Sequence, residues 1–248
     1  MIRLASLLPV AAALWVLPQW ACAAATDWRD LESRIQYAWY TEDGRELAAV
    51  EKRVTELPAA EPLRSYYLAL IQLHEGQLAQ AAAHAGGAPA AAACVSSADD
   101  ALAARPTDAE VLALQSLCME LRSHSRAVGL PFAASRDRAQ MQRALQLDPR
   151  NPRVRLMAAQ FAYVTARSTA ERAQLVGPFQ QAVDAFEAER QGLEHVPGWG
   201  AAEAWEGLAR IHLERGDAIA ARSALEHALL LMPEYSSAHR LLNQILSG

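Results

Sequence analysis

Lysine is almost missing from this chain, with Lys52 the single one among 23 basic side chains. Arginine carries the rest of the positive charge. Arginines and carboxylates alternate along the whole sequence, and the formal net charge is −5. A nucleic-acid partner calls for a basic stripe that neutralises phosphates, and none is present. Aromatic residues make up only 6% of the chain, and β-branched residues are sparse. Alanine, leucine, glutamate, glutamine and arginine take their place, and these are the better helix formers, so composition points to an all-α fold. Hydrophobic residues at 52% and charged residues at 21% exclude wholesale disorder. No stretch approaches the ~20 apolar residues of a transmembrane helix.

The N-terminus is the most legible segment. Arg3 precedes an almost wholly apolar run, residues 4–17, followed by Pro18 and then Ala21-Cys22-Ala23-Ala24-Ala25. That is the three-part layout of a secretory signal peptide, residues 1–25, with cleavage expected after Ala23 or Ala25. The expected location is the periplasm. Cys22 leaves an alternative, acylation as an outer-membrane lipoprotein. That signal prefers an aliphatic residue three places before the cysteine, where Gln19 stands.

Catalytic motifs are also lacking. There is no nucleophile elbow, Walker loop or dinucleotide fingerprint. His74-Glu75-Gly76-Gln77-Leu78 begins like a zinc-protease helix but has leucine where the second ligand must stand. Gly76 suits a helix end. The histidines, His74, His84, His124, His195, His212, His227 and His239, form no tight ligand pair. Glu203 and Glu206 read as first-turn residues favoured by the helix dipole. We expect no metal, no cofactor and no enzymatic activity. The alternative is an envelope enzyme, or a subunit of one, acting on cell-wall glycans through unmarked carboxylates.

What is present is a repeat. The clearest unit spans 202–235. Trp205, Leu208 and Ala209 are followed by a Gly216-Asp217 turn, then by Ala221, Leu225, Ala228 and Pro233. Small residues at Ala209 and Ala221 let two helices approach closely. Pro233 ends the second helix because it cannot donate to the ladder. This pattern resembles the tetratricopeptide repeat (TPR), with His212 where tyrosine is usual and Leu225 where an aromatic is usual. Residues 236–247 read as a capping helix with Ala238, Leu241, Leu242 and Ile245 inward. Two more helix ends of the Ala-Leu…Pro kind close at Pro106 and Pro149. With Pro197 and Pro233, these prolines are 43, 48 and 36 residues apart, against ~34 in a strict array, so the units are stretched.

Further helices follow from periodicity and caps. Residues 27–40 and 45–57 read as a hairpin around Asp43-Gly44, and 63–75 as a third helix. Residues 81–89, rich in Ala, Gly and Pro, read as a flexible insertion. Thr107-x-x-Glu110 reads as a capping box opening a helix to about Ser123. Residues 152–166 and 180–190 pair, with a broken connection at Ser168-x-x-Glu171 and Gly177-Pro178. Residues 196–200, holding Trp199, form a loop in which the ring is expected to tuck over the next helix near Trp205. Cys94 and Cys118 each lie 12 residues from Pro106. Helices joined there bring them level, leaving open a disulfide or two buried thiols.

The resemblance implies an all-α, right-handed superhelical stack of antiparallel helix hairpins, a TPR-like α-solenoid from about residue 26 to 248. It implies an interaction module for an unidentified protein or peptide, held on the concave side. The residues this register places there are Tyr66, Arg153, Gln160, Tyr163, Glu206 and Arg210. Some members of that family grip a C-terminal carboxylate with lysines and asparagines. Lys52 lies outside any such helix, so that mode is not expected here.

Overall fold

The computed structural model describes residues 26–82, 87–124, 133–190 and 197–247. The expected signal peptide, Cys22, His84, His195 and Val196 lie outside the described residues. Among the described residues twelve α-helices run in order: α1 Trp28–Tyr40, α2 Gly44–Glu56, α3 Arg64–Ala81, α4 Gly87–Ala104, α5 Ala109–His124, α6 Ala133–Leu147, α7 Pro152–Thr165, α8 Thr169–Arg172, α9 Val176–Arg190, α10 Ala201–Glu214, α11 Ala218–Leu231 and α12 Ser236–Ser247. A 3₁₀ turn, Ala173–Leu175, joins α8 to α9. No strand occurs among the described residues.

Local sequence sets the helix ends. Asp27 and Asp43 cap α1 and α2 through backbone N–H groups two and three residues on, satisfying donors that the helix itself leaves orphaned. Asn151 does the same for α7, with Pro152 in its first turn. Between α10 and α11, Gly216 takes a φ of 78°, a left-handed conformation that costs glycine nothing. Asp217 then caps α11.

Helices pair in sequence as α1/α2, α3/α4, α5/α6, α7/α9 and α10/α11, and α12 covers the end of the last pair. Each hairpin packs on the next, as α4 does on α5 and α9 on α10. The fold is an all-α solenoid. Its core is continuous, from Ile35, Leu47 and Val50 through Leu70, Ile71 and Leu114 to Leu156, Ile211 and Leu225, all fully buried. Each such side chain contributes roughly 1.5–3 kcal/mol on burial. Alanines at 209, 221 and 228 are wholly buried between α10 and α11, which is why those helices sit so close.

Several local expectations change. The third helix does not stop near Gly76 but runs on to Ala81. A Cβ at Gly76 would lie 2.5 Å from a Leu121 methyl, so this glycine serves close packing of α3 on α5. The insertion at 81–89 shrinks accordingly, because Gly87–Pro89 already belong to α4. Asp108, not Thr107, caps α5, accepting from the Val111 N–H at 3.1 Å. That leaves the Glu110 carboxylate free for other partners. Gly177-Pro178 is no break but the first turn of α9, where a proline lacks no hydrogen bond that a helix needs. Cys94 on α4 and Cys118 on α5 form a disulfide with Cα atoms 5.4 Å apart.

Candidate functional site

The two ends of the described helical stack meet. The Tyr40 hydroxyl of α1 donates to Glu203 of α10 at 2.9 Å, and the Tyr40 ring packs on Tyr235 with centroids 4.7 Å apart. The Gly198 N–H donates to both oxygens of Glu32, at 2.9 and 3.1 Å. Arg240 of α12 pairs with Glu42 in the turn after α1. The first helices of the pairs therefore do not line one open trough. The chain's own N-terminal helix and the 197–200 loop occupy part of that face.

Gly200 makes this closure sterically feasible. It holds φ at 110°, and a Cβ there would fall 2.7 Å from Phe186 and 2.9 Å from Leu156. The chain turns sharply before α10 and drives Trp199 inward. The indole N–H of Trp199 donates to the Tyr66 hydroxyl at 2.9 Å. Its ring thus reaches back to α3 rather than over Trp205, which stacks instead on His227 at 4.4 Å.

Below Trp199 lies a buried polar network. Arg153 of α7 is 3% exposed. Its Nε donates to Glu110 at 2.9 Å, and its two terminal nitrogens donate to Glu189 at 2.9 and 2.8 Å. Glu110 also accepts from Tyr66 at 3.0 Å and from Asn151 at 2.7 Å. Burial disfavours the Arg153 charge, but the Glu189 and Glu110 carboxylates more than offset this and hold its pKa above the ordinary arginine value. Tyr66 is pushed far up by burial and by Glu110, so it stays a neutral hydroxyl. Two of the six residues assigned to the groove, Tyr66 and Arg153, are thus corrected. They are internal fasteners between α3, α5, α7 and α9, with no free surface for a partner.

The other four, Gln160, Tyr163, Glu206 and Arg210, come together in one half-enclosed cavity of about 330 Å³. Its apolar wall includes Trp39, Val164, Phe179 and Tyr235, and Glu42, Glu203 and Arg240 complete its polar side. Gly207 permits Phe179 to lie flat against α10, since a Cβ at 207 would meet that ring at 2.2 Å. Sequence reasoning missed Trp39, Tyr40, Glu42 and Arg240. Residues separated by up to 198 positions pair here, and no local pattern links them.

Most charges in this cavity are paired. Glu206 accepts from Arg210 and from Ser237, and Glu42 accepts from both terminal nitrogens of Arg240. Glu203 differs. It is 5% exposed, and no cationic side chain contacts it among the described residues. Burial raises its carboxyl from the ordinary 4.5 to about 7, and the hydrogen bond from Tyr40 opposes this only in part. Tyr40 holds one oxygen, Oε2. The Trp39 indole N–H is buried with no acceptor in hydrogen-bonding geometry, though it sits close enough to favour the charged form of Glu203.

Three other residues named from sequence have structural roles. His74 stacks on Trp39 at 4.1 Å. Burial lowers its pKa to about 3, so it is a neutral core imidazole. No cluster of metal-ligating side chains forms among the described residues. Cys94 and Cys118 are fully buried and join α4 to α5.

No family model matches the sequence, and no curated protein matches it. Among solved structures, the thermophilic TPR protein TTC0263 of Thermus thermophilus matches with a TM-score of 0.60 and 14% identity, over 89% of this chain and 99% of that one. At that identity the likeness establishes the fold, a TPR-like solenoid.

Proposed function

We propose that this protein is an exported interaction module of the periplasm or cell envelope. It seats one segment of a partner protein in the cavity between its two ends. The observation that carries this reading is the cavity itself. It combines an apolar wall with a few convergent polar groups, the usual make-up of a binding site, on a fold whose stacked helices present such surfaces. Export is supported by the signal-peptide layout of residues 1–25 and by the Cys94–Cys118 disulfide, a bond that persists in oxidising compartments.

The test is cross-linked co-purification of the tagged protein from its native envelope. Val164 lines the cavity and is 44% exposed, so Val164→Asp spoils the apolar wall with little cost to folding. One dominant partner, lost with Val164→Asp, is the expected result. No partner above control would overturn the module.

A second reading rests on Glu203 and Glu206 sharing the cavity, one held protonated near neutral pH and the other ion-paired. Such a split is what acid–base hydrolysis of a glycan uses. Hydrolysis of wall material that disappears with Glu203→Gln would favour it.

A further inference from the structure

We propose that the partner segment enters this cavity with a lysine side chain, whose ammonium rests on the free oxygen of Glu203 against the Trp39 and Tyr235 rings. This rests on the interaction-module reading and names the chemistry that the cavity selects.

The argument begins with charge. The cavity wall carries three carboxylates, Glu42, Glu203 and Glu206, and two guanidinium groups, Arg210 and Arg240. Both arginines are committed, to Glu206 and Glu42 respectively. One carboxylate is left without a cation, and the complementary occupant carries a single positive charge. Two other carboxylates of low exposure, Glu110 and Glu32, show what a finished site looks like. Glu110 meets Tyr66, Asn151 and Arg153. Glu32 has no direct arginine, but Tyr67, Gly198 and Gln36 all donate to it. Glu203 accepts from the Tyr40 hydroxyl through Oε2 and has the Trp39 indole N–H beside it, but no cation. A carboxylate of such low exposure is costly to ionise unless a cation arrives to offset its desolvation.

Geometry then separates lysine from arginine. A guanidinium pairs best as a two-pronged fork on both carboxylate oxygens. At Glu203 the Tyr40 hydroxyl already holds Oε2, so the fork has one oxygen. An ammonium is a compact point charge that needs only one. Trp39 and Tyr235 line the same cavity, and this apolar wall takes the four-carbon stem. The volume, about 330 Å³, lies at the small end for ligand cavities. It suits one long side chain and its flanking backbone rather than a whole helix. The chain's own single lysine, Lys52, is exposed on α2 and does not line the cavity.

The experiment is a titration of the exported, purified protein with the capped peptide acetyl-Gly-Lys-Gly-amide, read by NMR at the tryptophan indole N–H signals. A Trp39→Phe variant identifies the Trp39 signal. The expected result is a saturable shift of that signal with the lysine peptide. Binding should be at least tenfold weaker for the same peptide carrying arginine and absent for the one carrying Nε-acetyl-lysine. Glu203→Gln, which can still accept from Tyr40, should weaken the lysine peptide at least tenfold while the helical circular dichroism stays unchanged. No saturable shift, or equal binding of the acetyl-lysine or arginine peptide, overturns the proposal, and these wild-type arms hold even if the variant fails to fold. An envelope partner that remains bound to Glu203→Gln would remove the lysine and leave the module standing. A lysine peptide that binds while no partner co-purifies would do the reverse.

Discussion

Two buried charge sites of this protein sit on the same row of first helices and behave in opposite ways. At Arg153, one cation lies between two carboxylates, and tyrosine and asparagine fill the remaining acceptors. At Glu203, one carboxylate has the Tyr40 hydroxyl and the nearby Trp39 indole N–H but no cation. Desolvation is present at both. At Arg153 the partners offset it, and the guanidinium keeps its charge. At Glu203 hydrogen bonds offset it only in part, and the carboxyl loses its proton only as pH rises through about 7. The first site is complete without a ligand and fastens four helices. The second borders a cavity and is complete only when something else binds. A buried charged residue is therefore a functional candidate when its partners are missing, not merely when it is buried.

The strongest way to break this contrast is Arg153→Ala. It removes the cation that Glu110 and Glu189 share, and breaking a buried ion pair costs about 3–5 kcal/mol. Urea unfolding should show that loss. A vanished partner in this variant would report unfolding, not a lost contact.

Glu203→Gln should act in the other direction. The folded carboxyl titrates near 7, against 4.5 for the ordinary group, so the folded state binds the proton more tightly than the unfolded chain. That contribution is fully present below pH 4.5 and is lost as pH rises through 7. At pH 8 the ionised group costs about 3 kcal/mol, and glutamine removes the cost. The variant should be more stable than the parent at pH 8 and equal to it at pH 4, by denaturant unfolding at the two pH values.

Gly207→Ala sharpens the cavity side. The added methyl collides with Phe179, and overpacking of this kind costs roughly 1–3 kcal/mol. Phe179 also lines the cavity, so thermal unfolding should fall together with partner binding. Smallest is Arg240→Ala. The Arg240–Glu42 pair is exposed, with the arginine 61% accessible, and such pairs contribute about 0–1 kcal/mol. Unfolding should barely move, as expected if the first and last parts of the helical stack are held by Tyr40, Tyr235 and the Glu32–Gly198 bond rather than by the surface ion pair.

The sequence was most legible where structure is local. Trp205, Leu208, Ala209, Gly216, Ala221, Leu225, Ala228 and Pro233 lie within one hairpin, and the spacing that marks them is the spacing that packs them. The helix over 236–247 was legible for the same reason. Errors fell where a residue's role depends on a distant partner. Gly76 reads as a helix end until Leu121 is placed against it. Thr107 reads as a cap until Asp108 takes that role and frees Glu110 for Tyr66 and Arg153. Tyr66 and Arg153 stood on the expected helices, but sequence does not reveal that Trp199 and Glu189 cover them.

Composition, turn residues and helical period by themselves determined that this chain is all-α, that its helices pair in sequence and that it stacks as a TPR-like solenoid. Those properties follow from interactions over one to four helical turns, which any window of the sequence contains. Tertiary structure alone decided that the end of α1 and the turn after it reach α10 and α12, that Cys94 meets Cys118, and that Glu203 faces a cavity without a counter-ion. Each depends on which side chains converge across many tens of residues, and burial and charge pairing are properties of that convergence rather than of any single segment.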